Sequence, residues 1–214
     1  MAATSSNGHP YGPLDQFLKK AKRMIQAEFN RLDAAGFDRM TVRQLTKVTA
    51  DLYKRLDAYN REQYETLVRE AWTAAGGPTG KVKPKRFVTD YLDGVDPITE
   101  YIYTQEVDRK RMRLNEAILT AREYSSHTML TKALRKAASL WYTQTSQYGI
   151  DLVDRAMIAA YKIVGYEWVK WNTRIDGWEC RVCKGRNGKV YRIGEAPPKA
   201  HYNCRCWYTP IKSK

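Results

Sequence analysis

Five residues near the C-terminal end have the side chains and the spacing of a metal site. Cys180 and Cys183 form a C-x-x-C pair, and seventeen residues later the chain continues with His201-x-x-Cys204-x-Cys206. Thiolates and imidazole nitrogens are the ligands that zinc takes in tetrahedral protein sites, usually as two such groups brought together by the fold. The sequence therefore predicts a zinc site with ligands drawn from these five residues.

Three other uses of these cysteines are open. A redox C-x-x-C begins a helix in a βαβ unit, and here a glycine-containing turn follows the pair, which disfavours that use. Residues 1–13 lack the pattern of a secretory signal, so we expect the protein in a reducing cytoplasm. Structural disulfides are rare there, which disfavours disulfide bonds between these cysteines. Packed free thiols without metal are the strongest alternative.

Short strand patterns surround the cysteines. The segment "YEWVKWNT", residues 166–173, alternates apolar and polar side chains, as a half-buried strand does. Asn187-Gly188 is the dipeptide preferred in a type I′ hairpin turn, and "RCWYTPI", residues 205–211, fits a last strand. We expect a small β-rich module in which a hairpin at Asn187-Gly188 brings the two groups of candidate ligands together.

The residues before this module have helical periodicity. Apolar positions recur at helical spacing over residues 14–35, with Gly36 as a C-terminal cap. Thr41 can cap a second helix that continues to about residue 75, where Gly and Pro interrupt the pattern.

A third helical region begins at Asp96 and Pro97, and no Gly or Pro occurs from residue 98 to residue 148. It is predicted to be one very long helix, or two helices joined by a bend near residues 124–128. Asp151 then starts another helix that Gly165 ends.

These patterns predict an α+β fold that is predominantly α-helical, with the small Cys/His module at its C-terminal end. We divide the chain into a flexible leader over residues 1–13, a helical body over residues 14–149 and a C-terminal domain over residues 150–214.

Positive charge is concentrated in the same C-terminal region. The formal net charge is +14, and from Trp168 onward eleven Lys or Arg residues stand against three acidic residues, a balance of +8. A concentrated basic surface of this kind favours contact with the phosphates of nucleic acid. The candidate contact residues are Arg181, Lys184, Arg186, Lys189, Arg192 and Arg205.

Several enzyme classes and a membrane span are disfavoured by the residues present. The segment "GGPTGKVK", residues 76–83, resembles a phosphate-binding loop, but Ala75 occupies the first glycine position and Val82 the hydroxyl position. No serine stands in a nucleophile-elbow pattern, and no apolar run approaches the roughly 18 residues of a membrane helix.

Residues 150–211 resemble the C-terminal domain of the Mu F-like family of phage minor head, or head morphogenesis, proteins. The elements that carry the resemblance are "RAMIAAYKIVG", Trp171, Asp176, Cys180-x-x-Cys183, "GKVY", Pro197-Pro198 and His201-x-x-Cys204-Arg205-Cys206 followed by Pro210. Two features depart from the family: "LVDRAM" stands where an Arg-Thr-Glu is usual, and Trp178 stands where small or polar residues are common.

The resemblance implies a virion component without enzymatic activity that associates with the portal protein and other head proteins, assists procapsid assembly and contacts double-stranded DNA. It also implies a location inside the capsid or at the portal vertex, and in the cytoplasm of the bacterial host during assembly. The helices of the body would be available for assembly contacts, including self-association. The alternative is a cellular zinc-dependent nucleic-acid-binding module with a helical oligomerisation arm.

Overall fold

The structure is a computed structural model that describes residues 10–36, 39–94 and 127–212 apart from 178 and 202, together with residues 116, 119, 120 and 123. Helices dominate these residues, and a three-stranded antiparallel sheet lies near the C-terminal end. The predicted α+β, predominantly helical fold class is confirmed. The helix start predicted at Asp96 and Pro97 lies outside the described residues, as do most of the residues from there to residue 126.

The described elements follow one another in a simple order. The helices and strands are α1 (Gly12–Ala34), α2 (Val42–Ala74), α3 (Pro84–Asp93), α4 (His127–Val164), β1 (Trp168–Asn172), α5 (Arg181–Arg186), β2 (Val190–Arg192), a 3-10 turn (Ile193–Glu195) and β3 (Trp207–Ile211).

Local sequence signals set the ends of the first two helices. Gly36 has φ 67°, the left-handed conformation that commonly follows a helix and that glycine adopts without strain. Thr41 and Gln44 cap α2 reciprocally: Gln44 N donates to Thr41 Oγ1 at 3.2 Å, and Thr41 N donates to Gln44 Oε1 at 2.7 Å. The predicted bounds of both helices agree with the structure to within about two residues.

The helix boundary predicted between Tyr148 and Asp151 is wrong, because α4 continues through Gly149 without a break. A Cβ at residue 149 would lie 2.4 Å from Cδ1 of Leu14, which is fully buried. Glycine thus allows Leu14 to pack directly on the backbone of α4. The cost of a helical glycine, about 1 kcal/mol relative to alanine, does not end a helix of 38 residues.

The sheet has β1 in its centre, in the order β2-β1-β3, with both pairs antiparallel. Val169 lies opposite Tyr191 on one side and Pro210 on the other. Val169 and Trp171 are fully buried, whereas Lys170 between them is exposed. The alternation in "YEWVKWNT" therefore gave the correct strand. Of the inward-facing positions that it offered, namely Tyr166, Trp168 or Val169, and Trp171, the structure buries Val169 and Trp171.

The predicted type I′ hairpin at Asn187-Gly188 is wrong. Asn187 has φ −54° and ψ 128°, Gly188 has φ 77°, and Lys189 N donates to Arg186 O at 3.0 Å, which together define a type II turn. This turn follows α5 and leads the chain into β2, whose strand partner is β1. Since β1 is central and also pairs with β3, the sheet itself joins the two groups of candidate ligands.

The chain divides into two compact units. The first, the site unit, comprises Met1–Gln16, Gln63–Tyr91 and Ser146–Lys214, and the second comprises Phe17–Glu62 and Leu92–Thr145. In the site unit, Tyr11 is fully buried, so the leader expected over residues 1–13 does not include it. In the second unit, the rings of Phe17 and Tyr59 pack at 5.6 Å, and Asn60 Nδ2 donates to Thr145 Oγ1 at 3.1 Å.

Among the described residues, none of the helices combines the length and the apolar character that crossing a membrane requires.

Replacing Gly149 with alanine should destabilise the protein by about 1–3 kcal/mol, because the added methyl group overlaps Leu14 in a packed core. The matched control is Gly185→Ala, also in a helix, where an added Cβ meets no atom within 4 Å. We expect that control to be neutral or stabilising by up to about 1 kcal/mol. Urea unfolding measures both changes, and equal stabilities for the two variants would contradict the packing of Leu14 on α4.

Candidate metal centre

The first group of candidate ligands lies at the start of α5. Cys180 is the N-cap residue of this helix, and its Sγ accepts a hydrogen bond from Cys183 N at 3.3 Å. The short helix directs Cys183 inward, where it is 1% exposed, and leaves Arg181, Val182 and Lys184 at the surface. The C-x-x-C pair thus does begin a helix, contrary to our expectation, although the described sheet is antiparallel and forms no βαβ unit.

The second group lies on the turn that precedes β3. Cys204 N donates to His201 O at 3.2 Å, which closes a turn over residues 201–204. Asn203 has φ 56°, a left-handed conformation that asparagine tolerates better than most residues, and its backbone N–H donates to Gln147 Oε1 at 2.6 Å. The chain then extends through Cys204 and Cys206, both buried, into β3.

The two groups meet at Cys183. Its Sγ lies 3.6 Å from Cys204 Sγ and 3.7 Å from His201 Nε2. Two groups of three residues each have all their ligand atoms within 4.8 Å of one another. One group is Cys180, Cys183 and His201, and the other is Cys183, Cys204 and Cys206. Cys183 is common to both, so the structure brings the five residues together as two overlapping groups of three, not as the single group of ligands that we predicted.

These distances suit a metal better than a disulfide. Sulfurs bound to one zinc ion lie about 4 Å apart, since each is about 2.3 Å from the metal. A disulfide requires about 2.05 Å between sulfurs, and all four cysteines are free thiols. The Cys/His groups could therefore hold a metal ion.

The surroundings of the thiols favour the ionised form at two of them. A hydrogen bond from the Cys206 thiol lowers the pKa of Cys204 to about 5, and the nearby Lys199 ammonium acts in the same direction. The backbone N–H of Cys183 lowers the pKa of Cys180. Burial raises the pKa of Cys183 to about 12, so a bound cation would have to displace its proton.

Thr173 connects the site to the sheet and was missed in the sequence analysis. Its Oγ1 donates to Cys183 O at 2.7 Å and accepts from Trp171 Nε1 at 3.1 Å, while its backbone N–H donates to Asn187 Oδ1 at 2.9 Å. The residue thereby holds the backbone of Cys183 against the end of β1. A hydroxyl residue directly after a buried strand was the only sequence signal for this role.

The six basic residues predicted to contact nucleic acid have different environments. Arg181, Lys184, Lys189 and Arg192 are exposed, and the Arg192 guanidinium lies 5.4 Å from the centre of the Trp168 ring. Lys184 Nζ also lies 3.8 Å from Glu179 Oε2 while the lysine side chain stays 64% exposed.

The other two residues are less exposed and are held by structural partners. Arg186 donates to Pro198 O at 2.8 Å and lies over the Trp171 ring at 5.1 Å. Arg205 forms an ion pair with Asp15 at 2.7 Å and lies 5.6 Å from the centre of the Tyr11 ring. Arg205 therefore serves the packing of the site unit, and the exposed residues Arg181, Lys184 and Lys189 are the better candidates for contact with a polyanion.

Comparison of the chain with protein-family models, with curated proteins and with solved structures gave no match.

Purified protein should bind one zinc ion per chain. Cys183→Ser should weaken zinc binding by more than about 100-fold, which is a larger loss than the roughly 10–100-fold typical of residues that only orient the ligands. The reason is that Cys183 belongs to both sets of ligand atoms. Metal analysis and competition with a chromophoric chelator measure the effect.

His201→Ala tests the histidine ligand, with His127→Ala at the start of α4 as its matched control. Protein that contains no zinc, and whose melting temperature does not change with chelator, would contradict the metal site and support packed free thiols.

Proposed function

We propose that the protein is a phage minor head, or head morphogenesis, protein that acts at the portal vertex, assists procapsid assembly and contacts packaged or ejected DNA without catalysing a reaction. The observation that carries this proposal is the convergence on Cys183 of the two motifs behind the family resemblance, Cys180-x-x-Cys183 and His201-x-x-Cys204-Arg205-Cys206. In the same compact unit, Thr173 links Trp171, a third element of the resemblance, to the carbonyl of Cys183 by two hydrogen bonds.

The metal in this proposal is zinc with a structural role. The two overlapping groups offer five candidate Cys and His ligands, enough for protein groups to fill all four positions of a tetrahedral ion and leave none for water or a substrate. Cys183, Cys204 and Cys206 are buried, as suits a closed site. Zinc would join the C-x-x-C group directly to the turn before β3. Among the described residues, the sheet that otherwise connects these two groups consists of three short strands.

Contact with DNA is supported by the exposed basic residues on and after α5. Arg181 and Lys184 lie at the surface of the helix that buries Cys183, and Lys189 follows the type II turn. Side chains of this kind bind phosphates without reading base sequence, which suits a protein that meets the whole genome during packaging or ejection.

Assembly contacts are assigned to the second unit. Leu119, Met129 and Tyr142 are large apolar residues of this unit that are each about 40% exposed. Exposed apolar residues on long helices are suited to binding the portal protein, other head proteins or a second copy of the chain. In this proposal the protein resides in the virion and, during assembly, in the host cytoplasm.

DNA binding should be independent of sequence and should weaken steeply with salt, because counterion release supplies the affinity. Arg181→Glu, Lys184→Glu and Lys189→Glu together should reduce the slope of log affinity against log salt by about 2 to 3, since each lost phosphate contact removes about 0.9. The matched control reverses Lys81, Lys83 and Lys85, which are also exposed and in the site unit. Equal losses in both triple variants would contradict a specific DNA-facing surface.

The full chain should co-purify with the portal protein when the two are co-expressed. Changing Leu119, Met129 and Tyr142 to serine should remove most of the bound portal protein, because these are the large exposed apolar side chains among the described residues of the second unit. The control changes Ile163, Ile175 and Val182, which are exposed apolar residues of the site unit, to serine. Zinc and DNA binding without any portal binding would favour the cellular nucleic-acid-binding module instead.

A further inference from the structure

Lys199 makes a set of buried polar contacts that neither the metal ligands nor the basic surface explains. Its Nζ lies 2.7 Å from Asp154 Oδ2 on α4, donates to the Tyr11 hydroxyl at 2.8 Å and donates to the backbone carbonyl of Cys206. Tyr11 in turn donates to Asp154 Oδ1 at 2.7 Å. We call Lys199, Asp154, Tyr11 and the Cys206 carbonyl the Lys199 clamp.

The clamp is enclosed by protein. The side chains of Lys199 and Asp154 are 11% and 14% exposed, and Tyr11 is fully buried. Three aromatic rings, those of Tyr11, Trp171 and Tyr208, have their centres 5.5–5.9 Å from the ammonium group. Burial raises the pKa of the Asp154 carboxyl, which the Lys199 ammonium opposes.

Net stability alone is a weak explanation for such a pair. Removing two charges from water costs several kcal/mol per ion, and apolar residues of similar volume often serve stability equally well. The best-attested use of a buried ion pair is to select one arrangement of the chain among several. Lys199 joins the two ends of the segment from residue 199 to residue 206, and this segment is the part of the chain whose arrangement it selects.

The hydrogen bond from Lys199 to Cys206 closes residues 199–206 into a loop. This loop carries three of the five candidate metal ligands: His201, Cys204 and Cys206. Asp154 then fixes the loop to α4, and Tyr11, whose hydroxyl also lies 3.0 Å from Cys206 O, fixes it to the segment before α1.

We propose that Lys199 is a positioning residue of the metal site: it closes the 199–206 loop so that His201 and Cys204 face Cys183 before a zinc ion binds. Asp154 and Tyr11 hold Lys199 in place for this purpose. The inference rests on the zinc binding proposed above. A loop that is already ordered loses less conformational entropy on binding, so the clamp raises affinity without touching the metal.

The test measures zinc affinity in the full chain by competition with a chromophoric chelator. The main variant, Lys199→Met with Asp154→Leu, removes both charges and so leaves no unpaired buried carboxylate. We expect it to bind zinc about 10–100-fold more weakly, the effect usual for groups that orient ligands. Tyr11→Phe removes a single hydroxyl and should cause a smaller loss. Lys170→Met, at an exposed lysine of β1, is the matched control and should leave the affinity unchanged.

Two further measurements separate positioning from stability. The circular dichroism of the metal-free double variant should match that of the metal-free parent. The visible spectrum of the Co²⁺-substituted double variant should show weaker d–d bands, because its ligands are held less well in tetrahedral geometry.

Parental zinc affinity and a parental Co²⁺ spectrum in the folded double variant would overturn the inference while leaving the zinc site intact. If the double variant does not fold, Tyr11→Phe decides, and an unchanged affinity and spectrum there would overturn the inference. A parent protein that takes up no zinc would overturn both this inference and the metal proposed above, and the DNA and portal measurements would still stand on their own.

Discussion

The position of the Cys183 sulfur is the constraint on which the rest of the site unit depends. The residue must be buried, within 4 Å of both His201 and Cys204, and yet only two positions from the exposed Arg181. A six-residue helix satisfies all three conditions because it turns one side chain inward and its neighbours outward. Thr173 then ties the carbonyl of Cys183 to the central strand, so that the sheet fixes the depth at which the thiol lies.

The charge distribution of the site unit follows from the same arrangement. Basic residues whose side chains find partners, such as Arg186 and Arg205, hold loops and the N-terminal segment in place. Basic residues on the outer side of α5 and after the type II turn remain exposed. One short stretch of chain thus places the buried candidate metal ligands on one side and positive charge on the other, so a binding surface for a polyanion would lie directly over those candidate ligands.

Local patterns in the sequence were sufficient for most of the architecture. Helical periodicity, the Thr41 cap and the glycines after the helices gave α1, α2 and the end of α4, and alternation gave β1. The candidate metal ligands also followed from spacing, because a C-x-x-C pair and an H-x-x-C-x-C group have few other uses together.

Features that depend on residues distant in the sequence could not be predicted. A glycine such as Gly149 commonly follows the end of a helix. Only the packing of Leu14, 135 positions earlier, shows why this glycine lies inside α4. Asn187-Gly188 fits both type I′ and type II turns, and the choice depends on α5, which was not predicted. Lys199 and Tyr11 meet across 188 positions, a contact that no local pattern contains.

The contact between Tyr11 and Cys206 also sets the order in which the molecule can be completed during synthesis. The two residues are 195 positions apart, and a ribosome adds about 5–20 residues per second. Cys206 is therefore made roughly 10–40 s after Tyr11. During that time the Tyr11 hydroxyl lacks both the Cys206 carbonyl and, until just before the end of that interval, the Lys199 ammonium that it contacts in the finished structure. The site unit therefore cannot be completed as its N-terminal residues emerge, because the hydrogen bond between Tyr11 and Cys206 forms only after Cys206 has been made.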